Sequence, residues 1–170
     1  VSPYRIERGA AVHVAPLPGI EATAGCRFRE IGMGEIADGD TTPLAILHER
    51  AEAGQLYVAL DKDAAPVGFL IWSPKDGLAH IEEVSVHPAH AGHRLAARMI
   101  DRLGADARGR YPALTLTTFR DVQWNAPYYA SLGFREMPYA DAGPDHLKNW
   151  RHQQSAGLDM SKRLFMIRHL

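Results

Sequence analysis

Residues 82–97 read Glu82-Glu83-Val84-Ser85-Val86-His87-Pro88-Ala89-His90-Ala91-Gly92-His93-Arg94-Leu95-Ala96-Ala97, and this stretch decides the fold. Pro88 ends a strand-like run. Beyond it Leu95, Ala96, Met99, Ile100, Leu103 and Ala107 share one face of a helix that starts near Gly92 and ends before Gly109. A strand turning straight into a helix leaves the first helical N–H groups without acceptors, and such an end attracts anions. His87, His90, His93, Arg94 and Arg98 add positive charge there, which suits phosphate or pyrophosphate. The plain alternative is an exposed basic helix end.

Upstream, Leu56 to Leu60, Val67 to Trp72 and Leu78 to Val86 are apolar or alternating runs separated by Asp61-Lys62-Asp63 and Lys75-Asp76-Gly77. They predict three antiparallel strands joined by two tight turns. Earlier still, Tyr4 to Val14 reads as a first strand stopped by Pro16 and Pro18, and a helix follows over about 17–29. Thr42-Pro43 predicts a second helix with Thr42 as its cap, Pro43 at the first helical position and Gly54 as its stop.

Downstream, Ala113 to Phe119 alternates as a strand, and the one-helix crossover before it predicts that it runs parallel to the strand ending at Val86. A short helix from Asn125 to Gly133, a strand from Phe134 to Tyr139, a helix near 144–156 and a last strand from Arg163 to His169 complete the chain. The order predicts a single α/β domain over residues 1–170, with a mixed, mostly antiparallel sheet that is flanked by helices and between its fourth and fifth strands must splay or pair across a helix.

The 170 residues carry 19 Lys and Arg against 20 Asp and Glu, so no basic excess is present to hold nucleic acid non-specifically. The longest apolar stretch, Val67 to Trp72, is far short of a membrane span, and the first residues lack a charged-then-apolar signal pattern. With a lone cysteine, Cys26, that has no internal partner, the expectation is a cytoplasmic protein without nucleic-acid or membrane partners. Cys26 itself reads as a buried or adventitious thiol. His48, His146, His152 and His169 show no ligand spacing and read as surface residues, with no metal site.

Two segments resemble the GNAT superfamily of acetyl-CoA-dependent N-acetyltransferases. Val84 through Ile100 looks like the family's fourth strand, its pyrophosphate turn and the following helix. Asn125-Ala126-Pro127-Tyr128-Tyr129 with Leu132-Gly133-Phe134 is similar to a later helix and the Gly-Phe entry into the next strand. The resemblance implies acetyl-CoA as cosubstrate, with the pantetheine arm along Val84, Ser85 and Val86. It places the pyrophosphate at Ala91 and the amides of Gly92, His93, Arg94, Leu95, Ala96 and Ala97, and brings Asn125 and Tyr128 near the cofactor. The family's turn reads Arg/Gln-x-x-Gly-x-Gly/Ala; here those positions hold Ala91, Arg94 and Ala96, so only the last fits. Arg94 either crowds the cofactor or adds a charged contact.

Acetyl transfer to an amine needs a base for the amine and an acid for the leaving thiolate. Tyr129 matches the family's tyrosine acid by position. Alternation puts His80, Glu82, Val84 and Val86 on one strand face and Ile81, Glu83 and Ser85 on the other. Glu82 with His80 are the base candidates, and Glu83 replaces them if a bulge shifts the register. The early helices wall the acceptor pocket in this family, which here implicates Phe28, Arg29, Glu30 and Met33. The expected acceptor is a primary amine of a small molecule or a peptide. The competing expectation, motivated by Arg94, is a non-catalytic acyl-CoA-binding domain. A homodimer contact through Arg163 to His169 is a further expectation.

Overall fold

A computed structural model describes residues Val1–Leu170. Its strands are β1 (Arg5–Arg8), β2 (Leu56–Leu60), β3 (Pro66–Lys75), β4 (Leu78–Val86), β5 (Ala113–Phe119), β6 (Arg135–Met137) and β7 (Arg163–His169). The α-helices are α1 (Leu17–Gly25), α2 (Gly34–Ala37), α3 (Leu44–Glu52), α4 (Leu95–Ala107), α5 (Ala126–Ser131) and α6 (Pro144–Ser155). The strands bond in the order β1-β2-β3-β4-β5-β7-β6. β4 and β5 run parallel, whereas β1 with β2, β2 with β3, β5 with β7 and β7 with β6 are antiparallel. No helix is long and apolar enough to cross a membrane. Contacts gather into two compact units, Val1–Trp72 with Glu83–Leu103, and Ser73–Glu82 with Gly104–Leu170.

In the first unit, Leu56, Val58 and Leu60 alternate onto one face of β2 and meet Phe69 and Ile71 of β3, with Leu17 and Ile20 of α1 and Leu47 of α3 closing the cluster. Each such side chain contributes about 1.5–3 kcal/mol by leaving water, which is why α1 and α3 hold despite glycines and short length. The first strand is shorter than the alternation predicts. β1 ends at Arg8; Gly9 still donates its N–H to the Leu56 carbonyl at 2.8 Å where any Cβ would strike the Leu56 side chain, and a 3-10 turn then occupies Ala11–His13. The helix over 17–29 also changes at Gly25, beyond which Cys26–Ile31 winds as 3-10. At α3 the cap is Pro43, not Thr42, because the Thr42 N–H and hydroxyl both donate to the Glu21 carboxylate of α1, at 2.8 and 3.2 Å.

In the second unit, β4 and β5 register at Ala79 with Leu114 and at His80 with Thr115, and at no later pair. β5 stays bonded to β7 along its whole length, from Ala113 with His169 to Phe119 with Arg163. The parallel strands therefore part after His80, as the splayed sheet requires. β7 is an interior strand, with β5 on one edge and β6 on the other, so it offers no open edge over its paired length for a second copy. Phe165, Ile167, Ala113 and Met137 form a core with Leu78, Leu147 and Trp150.

The β3–β4 turn is a two-residue hairpin with positive φ at Asp76 (51°) and Gly77 (75°). Its Asp76 carboxylate accepts from the Asp145 and His146 backbone N–H groups at 3.0 and 2.9 Å, and so caps the start of α6 from another element. Gly143 is needed at that cap, since a Cβ would collide with the Asp76 carboxyl group.

Candidate functional site

The strand-to-helix turn of the first unit is built around orphan amides. His87 N–H donates to the Val67 carbonyl, and a 3-10 turn over Pro88–His90 brings Ala91 N–H onto the Pro88 carbonyl. From Gly92 through Ala97 no backbone N–H finds a backbone acceptor, and the first engaged amide of α4 is that of Arg98, 2.9 Å from the Arg94 carbonyl. Six consecutive N–H groups at the positive end of a helix of 13 residues make a site with the chemistry for phosphate oxygens.

Two residues of this turn have positive φ, Gly92 (84°) and Arg94 (57°). Arg94 therefore adopts a left-handed backbone at the position where the similar family motif has glycine, with its side chain exposed. An L-residue is strained there. Arg94→Gly should raise stability by about 0.5–1 kcal/mol after allowing for the entropy glycine adds to the unfolded chain. An unchanged denaturant midpoint would show that the strain is not borne by Arg94.

The basic cluster of the sequence is partly consumed by the N-terminal segment. Arg98 donates to Ser2 Oγ at 3.1 Å and to the Tyr4 carbonyl at 2.9 Å. Tyr4 Oη bonds His90 Nδ1 at 2.8 Å, and the Tyr4 ring lies 4.8 Å from the His93 ring. His87 Nδ1 accepts the Ala89 N–H at 3.1 Å. Of the two arginines of this group, Arg94 is the one whose side chain is left for an incoming anion.

Of the β4 residues in this unit, Val84 and Val86 are half-buried, while Ser85 is buried and donates its hydroxyl to Glu83 Oε1 at 2.8 Å. That bond places Glu83 and Ser85 on one face, as the alternation predicts. Gly68 lets β3 approach here, for a Cβ would lie 3.0 Å from the Ser85 carbonyl oxygen. Of the residues implicated at the acceptor wall, Phe28 and Met33 are half-buried, Glu30 is exposed and Arg29 is tied to Asp38. Cys26 is exposed, not buried, because the 3-10 turn it opens presents it to solvent.

In the second unit, α5 carries Asn125 at its cap, then Tyr128 and Tyr129. Asn125 Nδ2 donates to the Trp124 carbonyl at 3.1 Å and its side chain caps no amide, which leaves the carboxamide oxygen for a ligand. Tyr129 is the more buried tyrosine, at 9% exposure, packed edge-on to Phe134 (5.9 Å) and to the half-buried Tyr128 (5.6 Å). Tyr129 owes this burial to Phe134, which the Leu132-Gly133 reversal brings back onto it, with the Phe134 N–H donating to the Tyr129 carbonyl at 3.1 Å.

Glu82 is half-buried where β4 has left β5, whereas His80 is 2% exposed. His80 Nδ1 lies 2.9 Å from Thr115 Oγ1, which lies 2.8 Å from His146 Nε2, and His146 Nδ1 lies 2.6 Å from Asp76 Oδ2. Its lack of ligand spacing reads His146 as a surface residue, but it is 1% exposed, because the Asp76 cap draws the start of α6 onto the β3–β4 turn. No spacing signal could have found it, since Asp76 and His146 are 70 residues apart. His48, His152 and His169 are exposed, and no three His, Cys, Asp or Glu side chains converge as metal ligands.

Burial, with the nearby His146 and Lys75 charges, pushes His80 down from 6.5 to about 3, against a smaller opposing pull from Asp76. His80 is thus neutral in the fold while the unfolded chain takes up a proton below 6.5. Its contribution to stability is complete above that pH and is lost as pH falls toward 3. The expected slope approaches about 1.4 kcal/mol per pH unit. Denaturation curves across this window should flatten in His80→Gln, and an equal slope in both proteins would remove His80 as the source.

A family model described as an acetyltransferase (GNAT) domain matches residues 52–136. The fold is similar to that of the PaiA N-acetyltransferase from Thermoplasma acidophilum, solved with coenzyme A, at a TM-score of 0.70 and 11% identity over 98% of this chain and 99% of that one. Rv2747 from Mycobacterium tuberculosis, also solved with CoA, gives 0.69 at 20% identity over 98% and 99%. N-acetylglutamate synthase from Neisseria gonorrhoeae, complexed with coenzyme A and N-acetyl-glutamate, gives 0.70 at 16% identity. This chain is covered to 98% there but spans only 35% of that protein.

Proposed function

The chain belongs to the GNAT acetyltransferase family, and on that premise we propose that it transfers an acetyl group from acetyl-CoA to the primary amine of a small molecule or peptide by direct attack. The observation that carries this reading is the run of backbone N–H groups from Gly92 to Ala97 with no backbone acceptor, which fits a pyrophosphate. The backbone of Val84, Ser85 and Val86 then holds the pantetheine arm, and the Asn125 carboxamide contacts the cofactor. Tyr129 protonates the leaving thiolate, for a phenol ordinarily near pKa 10 can give its proton to a thiolate without standing charged beforehand. Glu82 and His80 take the proton that the amine loses.

The N-acetyl-glutamate held by the N. gonorrhoeae relative supports an amino acid as the first amine to test. The second reading, a domain that binds acyl-CoA without turnover, is favoured by Arg94 at the glycine position of the turn. Calorimetry with acetyl-CoA and with CoA, followed by thiol release in the presence of amino acids, amines and peptides, decides between them. Micromolar binding, about 8 kcal/mol, with amine-dependent thiol release is the expected result. Binding without release favours the sensor, and no binding at all removes both readings.

A further inference from the structure

Four side chains of the second unit form one unbroken hydrogen-bonded chain, Asp76 to His146 (2.6 Å), His146 to Thr115 (2.8 Å) and Thr115 to His80 (2.9 Å). His146, Thr115 and His80 are each at most 2% exposed, while the Asp76 side chain at the hairpin turn keeps 15% of its surface. Buried chains of this kind have few ways to place their protons. The Asp76 carboxylate accepts, so His146 carries its hydrogen on Nδ1. When His146 is neutral its Nε2 must accept, so the Thr115 hydroxyl donates to it. The Thr115 oxygen in turn accepts from His80, which leaves the Nε2 of His80 as an unprotonated nitrogen with no side-chain partner.

We propose that Thr115, His146 and Asp76 are a proton relay serving His80: a proton taken up at His80 Nε2 is held as charge on His146 beside Asp76. This rests on the acetyl-transfer reading, in which the attacking amine loses that proton. The balance closes without any other reactant. A bond forms between His80 Nε2 and the incoming proton, the His80 Nδ1 proton moves to Thr115 Oγ1, and the former hydroxyl proton of Thr115 moves to His146 Nε2. All three hydrogen bonds survive: the His146–Asp76 bond keeps its sense, the other two reverse theirs, and His80 is neutral before and after.

The arrangement answers a difficulty with His80 as a base. Buried as it is, it stays neutral until the pH falls to about 3, since burial, with the nearby His146 and Lys75 charges, pushes it down that far. His146 Nδ1 sits 2.6 Å from the Asp76 carboxylate, which offers a counter-charge. The charged and titratable groups around the chain are Lys75 and Asp76 at the hairpin turn, Asp145 and His146 on α6, and His80 on β4. The His80 and His146 rings meet edge to face at 5.0 Å, so a charge on both at once is disfavoured. Thr115 and His146 act through His80 and are positioning residues.

Nitrogen-15 NMR of the histidine-labelled full chain reads the relay without any need for turnover. At alkaline pH His80 should be the Nδ1–H tautomer. As acid protonates His146, His80 should convert to the Nε2–H tautomer at the same midpoint and stay neutral. Thr115→Val should abolish that coupling and Thr115→Ser should restore it. A His80 already in the Nε2–H form at alkaline pH, or one that changes independently of His146, overturns the relay.

Activity gives the second arm. In Asp76→Asn the acid limb of kcat/KM should move down by at least about one pH unit, because the positive charge on His146 loses its counter-charge. A purely structural role would lower the rate equally at every pH, and that result would also overturn the proposal. If no amine is acetylated by the unaltered protein, the acetyl-transfer reading fails, and the NMR arm still decides whether the relay exists.

Discussion

Tyr129→Phe lowers the turnover of acetyl transfer by about 10²–10⁴-fold, the range by which positioned general acids act, while acetyl-CoA affinity changes little. The change deletes one oxygen from a side chain already 9% exposed and held by ring contacts to Tyr128 and Phe134, and the ring itself stays packed. Stability is therefore expected to move much less than rate. Steady-state kinetics with calorimetry on the same variant separate the two. An unchanged kcat would take Tyr129 out of the acid role, and a parallel loss of rate and binding would make it a packing residue of the cofactor site.

Asp76→Ala is expected to cost about 3 kcal/mol of stability, from a lost helix cap and an uncompensated donor on a buried histidine. The carboxylate accepts from Asp145 N–H, His146 N–H and His146 Nδ1, and the alanine would also have to keep a φ of 51°. For a chain of this size the loss corresponds to a Tm lower by about 6–12 °C. Asp145→Ala, whose carboxylate meets only the Asp76 N–H at a long 3.3 Å, is the matched control. Although partial burial raises Asp76, the hydrogen bonds from Asp145 and His146 outweigh it and hold its carboxyl below the usual range. The contribution is thus present above the unfolded carboxyl pKa, and it disappears as pH falls through the folded value. Wild type and variant should converge in acid, and a constant gap would assign the loss to the backbone of the turn alone.

The two predictions differ in how far the sequence reaches. Tyr129 could be singled out because its neighbours in sequence, Asn125, Pro127 and Gly133-Phe134, declare a short helix and its exit and together resemble the GNAT segment that carries a tyrosine acid. Asp76 could be read as a turn residue from Asp76-Gly77, and it is one. Its second task, capping α6 and fixing His146, involves a helix 70 residues away and leaves no local mark. Thr42 shows the same limit in small: it looks like a cap, but Glu21 of another helix claims both its donors.

The sequence by itself determined the alternations and helical stripes, hence the strands from Leu56 to Val86, α4, β5, α6 and β7, and the turn whose amides lack acceptors. These follow from period, proline and glycine, which act between near neighbours. Tertiary structure alone decided that Arg94 takes a left-handed backbone, that His80 is where β4 and β5 begin to part, and that His146 is buried on Thr115 and Asp76. Each of these depends on which distant groups desolvate one another, and burial and hydrogen-bond satisfaction are properties of the folded neighbourhood that no local spacing records.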